Sequence, residues 1–569
     1  MGLILSIGLM DGLGLIMFLP LLQMASNPDM LDMDRLGNLG LLVKQLEGLG
    51  FTLTLSGILV FLVIFFSLKG LIQYISSLHQ LKIKQIFIEK VRISLINLLD
   101  GMTYKAFAIT DAGQIQNALS GEVDRVGRAY QAYLVAFQQI FLMFAYLAFA
   151  FLIDLQFALL ITFGGALTNL AYRQIYKQTI EASRTLTSEA DGLQGLLHQY
   201  VNNFKYIKAT GLIFGFGRKL KNAVHKIEEN NLRIGMLNAV LSASREPLLI
   251  IVISAVVYIQ VNLLEGSLGP ILISLLFFYR ALAALLQMQT NYNFFLSVSG
   301  SITNLDAFSE QLKRNAEKDG IQVLKSFEGQ LELTNAMFKY NGEVVLDNIN
   351  LKITNKETIA FVGESGSGKT TLVNVLAGLL PLDSGRFTIG EIDRSELDIT
   401  SFRKRVGYIT QEPVIFNASI FNNVTFWAEP NAKNTARFAA AIRKAAIADF
   451  IDSLQEKGDT ELGNNGVNLS GGQRQRISIA RELYKEVDIL IFDEATSALD
   501  SETEKAIQDS LEALHGQYLL LIIAHRVSTI KHADRIIVMK KGKIIDQGKF
   551  TALFEKSVLF RKMTELQGF

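Results

Sequence analysis

Six apolar stretches crowd into the first 300 residues, at 3–22, 55–75, 130–152, 155–171, 237–260 and 268–295. A helix needs about 20 apolar residues to cross a bilayer core, and a helix is the natural answer there because no water can satisfy backbone groups. Six such stretches ahead of a half with ordinary polar composition predict six spanning helices followed by a soluble domain. One stretch alone would suit the buried helix of a soluble protein; six in a row argue against that. Basic and acidic residues number 55 and 54, for a formal net charge of +1, so whole-molecule charge gives no sign of nucleic-acid binding. The absence of cysteine removes disulfides, thiolate metal sites, iron–sulfur clusters and cysteine nucleophiles. Six histidines without an HExxH pattern speak against a metallohydrolase.

Loop charge gives the orientation. The connection between the second and third stretches holds Lys82, Lys84, Lys90, Arg92, Lys105, Arg125 and Arg128, and the fourth-to-fifth connection holds ten Lys and Arg. The other connections are short or acidic, with Asp29, Asp32, Asp34 and Glu47 in the first, Asp154 in the second and Glu265 in the third. Basic loops stay in the cytoplasm, which puts both long loops and the C-terminal half there. Helix-forming, periodic sequence at 77–99 and 178–197 predicts that the spans continue well beyond the membrane. Segments 111–120 and 200–212, punctuated by Gly113, Gly121 and Gly211, are the expected turning points. The N-terminus lacks the basic start and small-residue cleavage site of a signal peptide. Segment 33–49 suits either an amphipathic helix on the outer leaflet or a solvated loop. The domains expected are therefore 1–311 in the membrane, a polar linker at 312–328, and 329–569 in solution.

The soluble half carries the sharpest chemistry. A strand-like run at 357–362 leads into Gly363-Glu364-Ser365-Gly366-Ser367-Gly368-Lys369-Thr370, and Thr371 continues a helix. This is GxxxxGK[ST] in its strand–loop–helix setting. Its glycines let backbone N–H groups curl round phosphate oxygens, with the helix N-terminus adding favourable potential. Lys369 reaches the β- and γ-phosphates, and the Thr370 hydroxyl suits Mg²⁺. Gly363, Ser365, Gly366, Ser367, Gly368, Lys369, Thr370 and Thr371 are thus the ATP-binding candidates. A second apolar run, 489–492, ends in Asp493-Glu494. Asp493 suits a water-mediated Mg²⁺ contact, and Glu494 is placed to take a proton from, or orient, the attacking water. Between them, Leu469-Ser470-Gly471-Gly472-Gln473 opens another helix and makes a second anion cradle. One nucleotide cannot easily use both cradles of one chain. An arrangement shared between two domains is allowed by that, and not proved.

In this order and spacing, the phosphate loop, LSGGQ and the Asp493-Glu494 strand end resemble the nucleotide-binding domain of an ABC transporter. The resemblance extends to Gln411 as the Q-loop glutamine that touches Mg²⁺, to 497–500 as a D-loop ending in Asp500, to His525 as the switch histidine on the γ-phosphate, and to Tyr340 as the aromatic on adenine. Glu494, His525 and Gln411 are then the catalytic set, and Thr370, Gln411 and Asp493 the Mg²⁺ set. The resemblance implies an all-α six-helix transmembrane domain plus an α/β P-loop NTPase domain of ABC type: an exporter-type half-transporter using ATP and Mg²⁺. It also implies a homodimer in which Leu469, Ser470, Gly471, Gly472, Gln473 and Asp500 of one copy complete the ATP site of the other. Segments 111–120 and 200–212 match the family's coupling helices. Three departures stand out. There is no elbow helix before the first span, which predicts a natural start upstream. Asn464 stands where the family often has Glu. No peptidase segment precedes the first span, which disfavours leader-cleaving peptide exporters.

For the cargo, intramembrane charges are the guide, because they are costly and tend to face a cavity. Asp11, Lys69, Arg245 and Arg280 are the candidates. Lys69 and Arg245 also suit interfacial snorkelling, and Arg280 suits either pairing with a group such as Asp11 or an anionic head group. The membrane half resembles flippases of polyprenyl-diphosphate-linked oligosaccharides at 14–22, in the short outer segment, at 203–208 and at 278–280. That resemblance implies an ATP-driven flippase of a lipid-linked glycan or other anionic lipid, in a bacterial inner membrane with the ATPase in the cytoplasm. The alternatives are a multidrug or general lipid exporter of the same architecture, and more distantly a non-transport membrane ATPase or regulator.

Overall fold

The computed structural model describes residues 2–17, 21, 54–153, 155–262, 268–327, 329–340, 342–463, 466–493, 501–524 and 530–565. The chain divides into two units: Met1–Met102 with Ile109–Ala316, and Thr103–Ala108 with Glu317–Phe569.

The first unit is helical. Its elements are α1 (Gly2–Ile16), α2 (Leu55–Asp100), α3 (Tyr104–Ile109, most of which belongs to the second unit), α4 (Ala112–Asn117), a π-helical turn (Ala118–Glu122), α5 (Val123–Ile153), α6 (Leu155–Asn202), α7 (Phe204–Ala209), α8 (Ile213–Asn262), α9 (Leu268–Ser297) and α10 (Ser299–Arg314). In their described residues, the six apolar stretches fall chiefly in α1, α2, α5, α6, α8 and α9. Helices α2, α6 and α8 run for 46, 48 and 50 residues. At 1.5 Å per residue each is about 70 Å long, more than twice a bilayer core of about 30 Å. Among the described residues, Leu55–Asp100, Ala112–Leu152 and Ile213–Ile259 are by themselves long and apolar enough to cross, and α1 is a shorter apolar helix. Ile7, Leu142, Phe149, Phe277 and Ala281 form a buried cluster, with the Phe149 and Phe277 rings stacked at 5.4 Å. Gly12 lies against the Phe149 ring, where a larger residue would collide.

The turning points differ in one respect from the sequence reading. The short helix at the first tip is α3, upstream of 111–120. Asp111 starts a new helix there, its Oδ1 accepting from Gln114 N at 3.1 Å, and 112–122 is already the returning arm. Gly113 is no helix breaker: it allows backbone contact with Gly195 of α6. In 200–212, α7 is followed by Gly211 at φ +72°, a conformation that favours glycine. Segment 33–49 lies outside the described residues.

The second unit holds two sheets. One is antiparallel, in the order β2 (Glu343–Thr354), β1 (Gln330–Tyr340), β4 (Ser384–Ile389), β5 (Ile392–Asp393). The other runs β10 (Lys543–Gly548), β9 (Arg535–Lys540), β3 (Thr358–Gly363), β8 (Leu519–Ile523), β7 (Ile489–Asp493), β6 (Val406–Ile409), with every neighbouring pair parallel except β10 and β9. Its central strands are apolar throughout because both faces are covered. Ala360, Val362, Leu490, Phe492, Leu520 and Ile522 join one core, and Ile359, Phe361, Ile489, Ile491, Leu519 and Leu521 join the other. Segment 103–108 docks in this unit: the Lys105 ammonium sits 4.8 Å above the Phe338 ring and 3.7 Å from Asp383.

Candidate active site

Parallel register brings the phosphate loop and the acidic strand end to one edge of the large sheet. Phe361 and Asp493 are both level with Ile523, and β8 lies between β3 and β7. Two strand spacings put the two strand ends about 10 Å apart. This carboxyl edge of a parallel sheet is where ligands of α/β folds bind.

After β3 the chain turns through Gly363, Gly366 (φ +76°) and Gly368 (φ +99°) into helix α11 (Lys369–Leu376). A side chain at Gly363 would meet Met539 O and Ser367 Oγ. Lys369 is buried, and its ammonium donates to Gly363 O at 2.9 Å and Glu364 O at 3.1 Å. The Ser367 hydroxyl is buried without a hydrogen-bond partner. An orphaned donor inside a glycine loop fits an anion. Ser365, Gly366 and Thr370 are exposed, and Thr371 is partly buried. Asp493 is partly buried and Gln411 exposed. With Thr370 they supply hard oxygen donors of the type that hold Mg²⁺. Tyr340 is half-buried at the end of β1, edge-on to Phe338 at 4.8 Å. Glu494, Asp500 and His525 lie outside the described residues, as does Asn464.

Helix α12 (Gly471–Tyr484) starts at the signature segment. Ser470 and Gln473 form a reciprocal capping box, with Gln473 N donating to Ser470 Oγ at 3.2 Å and Ser470 N to Gln473 Oε1 at 2.8 Å. Ser470 is exposed, Gly471 and Gln473 partly exposed, and Leu469 and Gly472 buried. The signature backbone is therefore fixed by its own side chains.

Two residues were missed by sequence reasoning. The Tyr408 hydroxyl lies 2.9 Å from Asn374 Oδ1 and 3.2 Å from Asp493 Oδ2, linking α11 to the acidic strand end. Burial, then the Asp493 charge, raises its pKa, so the phenol remains a donor. Arg481 is buried in α12 and donates to Asn423 O, Asn423 Oδ1 and Val414 O at 2.6–2.9 Å, between the rings of Phe416 and Phe426. Burial lowers its pKa, with Glu482 opposing. A tyrosine three residues before Gln411 on a parallel strand was the available signal for the first. Nothing local marked the second.

In the membrane unit, Asp11 is fully buried and pairs with Lys69, while the Tyr146 hydroxyl donates to its other oxygen. Lys69 is thus committed to an ion pair, and Asp11 is not the partner of Arg280. Arg280, on α9, is exposed and close enough to Tyr146 to act on it electrostatically. The side chain of Arg245 lies outside the described residues.

Taken together, fold and site define a P-loop ATPase domain fused to a bundle of long apolar helices. Residues 346–497 match the family model described as ABC transporter. The chain is 29% identical over 512 residues to the ATP-dependent lipid A-core flippase of Hahella chejuensis, covering 88% of this chain and 86% of that one. It is 29% identical over 530 residues to the protein of the same name in Desulfotalea psychrophila, covering 90% and 89%. A bacterial Atm1-family ABC exporter, solved with ATP bound, has the same fold at TM-score 0.79 and 21% identity, over 100% of this chain and 98% of that one. Residues 346–497 are thus an ABC transporter domain by sequence, and the chain as a whole is similar in sequence and fold to exporters that carry a membrane domain ahead of it. An ATP-binding domain that follows a bundle of long apolar helices is the arrangement of an ABC-type translocase.

Proposed function

We propose that the cargo is an anionic lipid, with polyprenyl-diphosphate-linked oligosaccharide as the specific candidate. The carrying observation is the charge balance around buried Asp11. Among the described residues, that one carboxylate stands near two cations, the partly buried Lys69 and the exposed Arg280, and Asp11 and Lys69 already neutralise each other. The remaining positive charge, on a planar guanidinium, suits a phosphate-bearing head group. The lipid substrate in the names of the relatives supports the same class.

Hydrolysis follows from the site residues. Two copies pair head to tail, and each ATP lies between 363–370 of one and 469–473 of the other, with Asp500 of the second copy alongside. Tyr340 stacks on adenine, Lys369 neutralises the outer phosphates, and His525 holds the γ-phosphate. Thr370, Gln411 and, through water, Asp493 hold Mg²⁺, which when bound supplies charge neutralisation. Glu494 takes the proton of the attacking water. The exposed start of α12 supports the pairing, since a fixed helix N-terminus at the surface is an anion cradle for a second copy's nucleotide.

Native mass spectrometry of the protein in mixed-lipid nanodiscs tests the cargo class. Retention of diphosphate-bearing lipids over zwitterionic ones, lost in Arg280→Ala, is the expected result. Equal retention of both classes would reject it.

A further inference from the structure

Away from both sites, Glu122 closes the π-helical turn between α4 and α5 with its side chain 0% exposed. Its Oε1 accepts from Asn304 Nδ2 at 2.8 Å, and its Oε2 is buried without a hydrogen-bond partner. The same amide donates to Asp191 Oδ2 at 3.0 Å, and Asn117 Nδ2 donates to Asp191 Oδ1. One asparagine of α10 therefore joins two carboxylates from different arms of the bundle. Insertion of an extra residue in a π-helical turn re-aims side chains, and such turns recur at functional sites.

Helix α10 packs closely on α6. Gly300 of α10 lies against Ser183 of α6, where a Cβ would come within 2.7 Å of Ser183 O, and Gly300 N donates to Ser183 Oγ at 3.1 Å. Among the described residues, the charged groups that act on Glu122 are Asp191 of α6 and Arg125 of α5, whose Nη1 is buried and makes no hydrogen bond. Helix α10 presents the neutral Asn304, and Arg92 of α2 is paired with Asp124 at 3.0 Å. Two carboxylates that share one amide, one with an orphaned buried oxygen, cannot both stay charged cheaply.

We propose that Glu122, held beside Asp191 by the shared Asn304 amide, is a proton-binding site, and that its proton sets how firmly α10 is held against the bundle. Burial first, with Asp191 adding and Asn304 and Arg125 opposing, raises the Glu122 pKa from 4.5 to about 7. The closed arrangement therefore binds a proton that a solvated glutamate releases near 4.5. Its stabilisation is complete below that pH and is lost as pH rises through about 7. Helix α10 is the last helix before the ATP-binding unit in the chain, so loosening it would make ATP-driven movement sensitive to cytoplasmic pH.

Infrared difference spectroscopy of the full-length protein in lipid tests the site through the C=O band of a protonated, buried carboxyl. The expected result is a band that titrates with a midpoint about pH 7, disappears in Glu122→Gln and moves to lower pH in Asp191→Asn. Hydrogen exchange in 299–314, corrected for intrinsic rates, should rise across the same range in the wild type and stay flat in Glu122→Gln. No titrating band in the wild type between about pH 6 and 8 would overturn the proposal, as would a band that persists unchanged in Glu122→Gln. The wild-type titration decides even if a variant fails to fold.

Discussion

Asp493 does not stand alone at its strand end. The Tyr408 phenol reaches both Asp493 and Asn374, so a change at one residue should be felt by the acid and the phosphate-loop helix together. A hydrogen bond to a charged group contributes about 1.5–3 kcal/mol, and Tyr408→Phe should raise the Mg²⁺ concentration needed for nucleotide binding by about 10-fold. A Mg²⁺ titration of fluorescent-ATP binding checks this, with the unfolding temperature expected to change little. Glu494→Gln acts on the chemistry itself. Removing a positioned base lowers hydrolysis by at least about 100-fold. Mg²⁺ and ATP should then remain trapped in a stable closed dimer, counted as retained nucleotide after gel filtration. Unchanged turnover would remove Glu494 from its role.

At the scale of elements, α12 carries two jobs on one helix. Its start is set by the Ser470–Gln473 capping box, and its middle is pinned by Arg481 to the segment that follows Gln411. Arg481→Ala would strip three charge-assisted hydrogen bonds and leave Asn423 and Val414 acceptors buried. A loss of about 2–4 kcal/mol is expected, read as a lower unfolding midpoint by calorimetry. Arg481→Lys should recover only part, because an ammonium cannot reproduce the planar fork. These elements also show what could be read from the chain alone. The phosphate loop and β7 were legible because glycine spacing and unbroken apolar runs are local. Helix α3 was not, because Gly113 and Gly121 look like breakers in sequence but serve close contacts with Gly195 and Asn117 in space. The partner of Asp11 was equally hidden: Lys69 lies 58 positions away, and only the contact of α1 with α2 selects it over Arg280.

Across the whole molecule, a net charge of +1 conceals basic loops, an ion pair inside the bundle and, at Arg280, a cation for which the described residues show no carboxylate partner. Arg280→Ala should abolish transport of an anionic lipid while basal ATP hydrolysis stays within about twofold of wild type, because the substitution lies outside the nucleotide site. Asp11→Asn should act differently. It leaves the partly buried Lys69 without its carboxylate, at a cost of up to about 3 kcal/mol, and lowers the stability of the membrane unit itself. The most direct measurement places the purified protein in liposomes with a fluorescent diphosphate-linked glycolipid and follows translocation and phosphate release together. ATP-dependent translocation that vanishes in Glu494→Gln and in Arg280→Ala is the predicted result. Undiminished ATP hydrolysis with no movement of any anionic lipid would contradict the account.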